Sequence, residues 1–178
     1  MRYSRVALHG ISIPRWSFRV LPFEEWLSRY ERDVPDDRNS AYKMAVNRLK
    51  NLYSWQFEGP HIGHDISPGW FLLVARACDE VNRLAEAGEL DRHEFYWAQI
   101  KEKFGGLRLY PRMKNAEPPH PKLLALIAEL QGESVSACEI CGTPAKLTRD
   151  EHGWFATHCE FHASQKRAHG ASWTWPGL

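Results

Sequence analysis

Apolar positions recur along this chain in two periods, one helical and one alternating. The clearest helical stripe is Phe71, Val74, Ala75, Cys78, Val81, Leu84 and Ala85. Ser67 suits its N-cap and Pro68 its first turn, and Gly88 follows as a stop. A second stripe, Leu123, Leu124, Ile127 and Leu130, predicts a helix over residues 121–130 that opens on Pro121 and stops at Gly132. Upstream, Ala41, Ala45, Leu49 and Leu52 predict a helix capped by Asn39 or Ser40. Before it, β-favouring pieces between residues 6 and 20 lead past Pro22 into a short helix through Phe23, Trp26, Leu27 and Tyr30. The acidic, proline-containing stretch 31–38 reads as the loop between these two helices.

The alternating period appears later. Residues 95–100 are rich in aromatic side chains and residues 107–110 alternate apolar with polar, with Gly105-Gly106 between them. That is the pattern of a β-hairpin. Residues 58–69 hold three Gly and two Pro and read as a loop at an internal boundary.

Composition narrows the class. With 178 residues, 43% hydrophobic and 25% charged, the chain is long enough and apolar enough to bury a core. Eight Trp supply large apolar area, and burial is the expectation for them. A formal net charge of +1 argues against a surface coated for polyanions, although it leaves room for a local basic patch. No long apolar run follows the basic residues of positions 1–20, so no secretory signal is expected. The apolar stretch at 70–78 is interrupted by Arg76 and falls short of the roughly 20 residues a membrane span needs. A cytoplasmic protein with no membrane partner is the expectation.

Cysteine placement carries the strongest chemistry. Of four Cys, Cys78 lies on a helical apolar stripe and reads as a small buried hydrophobe. The other three fall in metal-ligand spacing. Cys138-Glu139-Ile140-Cys141-Gly142 has the form of a zinc knuckle, in which two thiolates reach one ion and the Gly permits the tight turn. Cys159-Glu160-Phe161-His162 repeats the two-residue gap after seventeen intervening residues. Together they match a structural Zn2+ site with one His in place of a Cys. His158 is the competing candidate for the fourth ligand, with His162 favoured by the gap. Between the pairs there is room for a hairpin around residues 150–153, and residues 163–168 can continue as a helix, a treble-clef-like order.

Two further motifs invite enzymatic readings. Pro60-His61-Ile62-Gly63-His64 spells the HIGH signature of class I aminoacyl-tRNA synthetases. It lacks a preceding parallel-strand pattern and a KMSKS-like partner, so His61, His64 and Asp65 are expected to make loop hydrogen bonds. Asp150-Glu151-His152, followed by the second ligand pair and Lys166, resembles HNH nucleases, which would make His152 catalytic. That family places a longer insert with a central Asn before its second ligand pair. Here only residues 153–158 intervene, leaving little room for a second metal and its general base.

A basic segment offers a contact surface instead. Lys101, Lys103, Arg108, Arg112 and Lys114 stand against Glu102 alone, a net +4 over residues 101–114, suited to phosphates. A solvated hairpin face is the blander alternative.

Pro68-Gly69-Trp70, the run from Gln99 to Tyr110 containing KEKFGGLR, the knuckle at 138–142, and Gly153-Trp154 with Cys159 resemble a group of small, functionally unassigned bacteriophage and prophage proteins. The resemblance spans roughly residues 65–165, and KEKFGGLR is its specific part. It implies an α+β body, a zinc-ribbon-like tail and a phage-linked setting, and brings no catalytic residues with it.

The expected architecture is therefore α+β, with helices packed on a small antiparallel sheet and a C-terminal treble-clef or zinc-ribbon-like module. Its regions are an N-terminal strand and helix region at 1–60, an α+β body at 61–132 and a zinc-binding module with tail at 133–178. The expected function is a non-catalytic binding protein for a host macromolecule, protein or nucleic acid, with an HNH-like metal-dependent nuclease as the alternative. Trp173 and Trp175 in the tail either pack back on the body or form a contact.

Overall fold

The computed structural model describes residues 38–60 and 63–169. The strands and helix expected within residues 6–30, His61 and the Trp173/Trp175 tail lie outside the described residues. Those from Asn39 onward belong to one compact unit with an α+β architecture.

Helix α1 runs Arg38–Leu52 and buries Ala45 and Leu49, whereas Leu52 at its end is exposed. A 3-10 turn, Ser54–Phe57, follows and carries Gln56 into the interior. That buried amide is hydrogen-bonded through both its nitrogen and its oxygen. Gln56 Nε2 donates to the Cys78 carbonyl at 2.7 Å, and Gln56 Oε1 accepts from Trp97 Nε1 at 2.9 Å.

The loop expected at 58–69 contains a short strand, β1, Gly63–Asp65. After it, Pro68–Trp70 forms a 3-10 turn that leads into α2, Phe71–Glu86. Ser67 is extended and makes no side-chain cap, so Pro68 opens the turn without the hydroxyl expected to cap it. Of the predicted stripe, Phe71, Val74, Cys78, Val81 and Leu84 are buried, whereas Ala75 and Ala85 are half-buried and Leu73 and Ala77 complete the inward face. Gly88 follows at φ 72°, a left-handed position that Gly adopts at no steric cost. Cys78 is fully buried, and burial drives its thiol pKa upward, in keeping with a packing role.

Strand β2, Phe95–Lys103, pairs antiparallel with β3, Gly106–Met113, and in parallel with β1, giving the order β1-β2-β3. Pro111, which has no N–H for the ladder, is tolerated because β3 is an edge strand and pairs beside an irregularity at Trp97/Gln99. The turn residues are Phe104 and Gly105, at φ 55° and 70°, so Gly106 belongs to β3 rather than to the turn. Inward-facing Phe95, Trp97, Ile100, Leu107 and Leu109 form the sheet side of the core. Phe95 and Trp97 meet edge-on at 5.2 Å.

Helix α3, Pro121–Ser134, packs Leu123, Ile127 and Leu130 against α2 and β3. It continues through Gly132, the expected stop, and Ser134 is the residue that ties it down. The Ser134 hydroxyl donates to the Gln131 carbonyl at 2.7 Å and accepts from the Leu107 N–H at 2.9 Å. Arg76 links the two helices through Glu133 at 2.6 Å and Glu129 at 3.2 Å.

A second, two-stranded antiparallel sheet joins β4, Lys146–Arg149, to β5, Phe155–His158, and is followed by α4, Glu160–His169. Among the described residues no helix is long and apolar enough to cross a membrane. Burial holds for Trp70 and Trp97 but not for Trp154, which is exposed beside the β4–β5 turn.

Candidate metal centre

The C-terminal segment follows the treble-clef order: a knuckle at 138–142, the β4–β5 hairpin, and a ligand pair at the start of α4. The knuckle closes through Gly142 N–H donating to the Cys138 carbonyl at 2.8 Å, with Gly142 at φ 74°. Cys159 precedes α4, and His162 lies within its first turn, so a three-residue step along one helix face brings both to the same point.

Cys138, Cys141, Cys159 and His162 place one donor atom each within 4.8 Å of one another and could hold a metal ion such as zinc. The spacing fits such an ion. Tetrahedral zinc with its usual bond lengths separates two sulfurs by about 3.8 Å, and a sulfur from an imidazole nitrogen by about 3.5 Å. Cys141 Sγ is 3.9 Å from Cys159 Sγ, and His162 Nδ1 is 3.4 Å from Cys138 Sγ and 3.2 Å from Cys159 Sγ. His162 is buried and packs edge-on against the Phe161 ring, centroids 5.1 Å apart.

Electrostatics around the sulfurs are mixed. Burial pushes the Cys138 thiol up to about 11, against backbone N–H groups of Cys159, Cys141 and Ile140 that pull it down. Burial also raises the Cys159 thiol, but hydrogen bonds from the His162 backbone and from Thr143, Cys141 and Cys138 outweigh it and leave it below the ordinary thiol value. Thr143 Oγ1 lies 3.1 Å from Cys141 Sγ. N–H and O–H groups turned onto sulfur are the environment a thiolate ligand needs.

His158, the competing fourth ligand, is turned elsewhere. Its Nε2 lies 2.8 Å from a Glu139 carboxylate oxygen, with both side chains largely buried. His152 sits at the exposed tip of the β4–β5 turn, its backbone N–H donating to Asp150 Oδ1 at 3.0 Å and its Nε2 3.5 Å from Glu151. His64 lies in β1, and its backbone pairs with Ile100.

Of the basic residues, strand alternation puts Lys101, Lys103, Arg108 and Arg112 on one face of the β2–β3 hairpin, with Lys101 directly opposite Arg108. Arg108 also donates to the Leu107 carbonyl at 2.8 Å. Lys114 lies beyond β3, with its Nζ donating to the His93 carbonyl at 2.6 Å.

Several residues that seat the centre carry no chemistry of their own. Gly69 N–H donates to the Glu139 carbonyl at 2.8 Å, and a Cβ on Gly69 would run into the Cys138 carbonyl oxygen and come within 2.6 Å of the Gly142 nitrogen. Buried Trp70 donates its Nε1–H to the Ala137 carbonyl at 2.9 Å. From the other side Gly105 packs on the second sheet, where a Cβ would meet Leu147 and lie 3.0 Å from the Ala156 nitrogen. Its carbonyl accepts from buried Thr157 Oγ1 at 2.5 Å. Pro68-Gly69-Trp70, Phe104-Gly105-Gly106 and the knuckle, scattered in sequence, thus converge on one joint. The only sequence signal for it is the Gly within each motif.

No protein-family model, curated protein or solved structure matches the chain.

Proposed function

We propose that this protein is a non-catalytic, zinc-containing binding protein of phage or prophage type that engages a host macromolecule or nucleic acid. The observation that carries it is the donor set: Cys138, Cys141, Cys159 and His162 supply four protein ligands at tetrahedral spacing. Four protein ligands fill every corner of a structural zinc ion and leave none for water or substrate. The ion would hold the knuckle, the second sheet and α4 together, and the chemistry it supplies is cross-linking. The phage setting is supported by the sequence resemblance around KEKFGGLR.

For contact, the β2–β3 hairpin offers Lys101, Lys103, Arg108 and Arg112 on one face, with its tip seated on the metal-binding segment. We expect the purified chain to carry about one zinc ion. We also expect it to capture a macromolecule from bacterial lysate, and Lys101→Glu with Arg108→Glu to abolish capture while leaving the zinc content intact. A preparation without stoichiometric zinc, or capture indifferent to both reversals, would overturn the reading.

A further inference from the structure

A pair of aromatic rings flanked by cations lies where the two hairpins meet. Phe104 is the first residue of the two-residue β2–β3 turn, at φ 55°, and is 64% exposed. Neither backbone nor burial accounts for phenylalanine there. Left-handed backbone is strained for a bulky side chain, and a turn of this kind favours Asn followed by Gly. An exposed ring at a turn also adds little to a core.

The ring has specific neighbours. It meets Phe155 of β5 edge-on, with centroids 6.2 Å apart and planes at 80°. The Lys103 ammonium stands 5.3 Å from the Phe104 centroid, and the Arg149 guanidinium 5.5 Å from the Phe155 centroid. Cation, ring, ring and cation thus form a continuous row across two hairpins from different parts of the chain. The row is fixed from beneath by Gly105 and Thr157. Back along the sheet, Lys101 and Arg108 continue the positive charge, with Lys101 5.5 Å from the Tyr110 centroid. Two of the nearby acids are tied down locally, Glu102 accepting from the Gly105 N–H at 2.5 Å and Asp150 from the N–H groups of His152 and Trp154, whereas Glu151 is exposed at the β4–β5 turn.

We propose that this row is a stacking platform for single-stranded nucleic acid. Unpaired bases would stack on Phe104 and Phe155 while Lys103, Arg149, Lys101 and Arg108 meet the phosphates. Aromatic rings set in a basic track accept any unpaired base, because each has a π-face, whereas the bases of a duplex are already stacked on one another. The proposal rests on the binding reading above and names its partner class.

The test is anisotropy of a fluorescein-labelled oligothymidylate titrated with the full zinc-containing chain, beside a DNA duplex of equal length. The parent should prefer the single strand, with affinity falling steeply as salt rises. Phe104→Asn separates folding from binding, since Asn suits the left-handed turn position. The variant should melt no lower than the parent yet bind the single strand at least about fivefold more weakly. Lys103→Glu with Arg149→Glu should flatten the salt dependence. Unchanged binding by Phe104→Asn, or equal affinity for duplex, would overturn the platform. If oligothymidylate is not bound while Lys101→Glu with Arg108→Glu still abolishes capture of a protein, the platform falls and the binding reading stands. If those reversals also change nothing, both fall.

Discussion

Gly88 and Gly105 share a left-handed backbone, at φ 72° and 70°, yet only one of them is enclosed. Nothing lies within 4 Å of a Cβ built on Gly88, whereas one on Gly105 would press on Leu147 and on the backbone of Ala156. Alanine at position 88 should therefore cost about 1 kcal/mol, the price of the backbone alone. Alanine at 105 carries the same backbone term plus about 1–3 kcal/mol for displacing a packed neighbour. Chemical denaturation of Gly88→Ala and Gly105→Ala side by side isolates the docking contact, and equal losses would mean that the hairpin tip is not held by the second sheet. Gly69 belongs with Gly105. Its surroundings are the knuckle's own backbone, which cannot swing aside as a long side chain can. Neither enclosure is legible in sequence, where Gly69 reads as the end of a loop and Gly105 as part of a turn.

At the scale of elements, legibility followed how far each one is determined by its own residues. The α2 stripe and the β2–β3 alternation were readable because a buried face imposes its period on the sequence. The donor spacing was readable because donors that could share one metal ion must converge on one point, and two pairs with a two-residue gap do so. Strand β1 was not. Gly63-His64-Asp65 has poor strand preference, and it is extended because β2 offers it a free edge. The end of α3 was misplaced for the opposite reason, since Gly132 looks like a stop whereas the helix runs on to Ser134, whose hydroxyl is tied to Leu107 of β3. That leaves Gly132 as a helical glycine with nothing within 4 Å of a Cβ. Gly132→Ala should raise stability by about 0.5–1 kcal/mol, seen as a higher denaturation midpoint at unchanged slope. A loss of stability there would show that the last turn of α3 is not helical in solution.

Within the unit that begins at Asn39, the Cys/His segment 138–162 is joined to the sheet and helices before it through backbone and buried contacts. Gly69 bonds to Glu139, Trp70 to Ala137, and Gly105 to Thr157. A zinc ion held by these four donors, as proposed, would contribute on the order of 10–16 kcal/mol of apparent binding at neutral pH, more than a two-stranded sheet and a short helix can supply from their own core. Removing it should therefore release residues 138–162 first, and the loss should spread to the groups seated on them. Hydrogen exchange before and after chelation reads this directly. The amides of the knuckle, β5, Gly69 and Gly105 should lose protection. The centre of α2 around buried Ala77 and Cys78, where the Cys78 carbonyl accepts from Gln56 and Gln56 from Trp97, should keep most of its protection. If protection is lost only beyond residue 136, the joint at Gly69 and Gly105 transmits nothing. If α2 opens together with the knuckle, metal and body form one cooperative unit. If no amide changes, the four donors do not hold the segment through a metal.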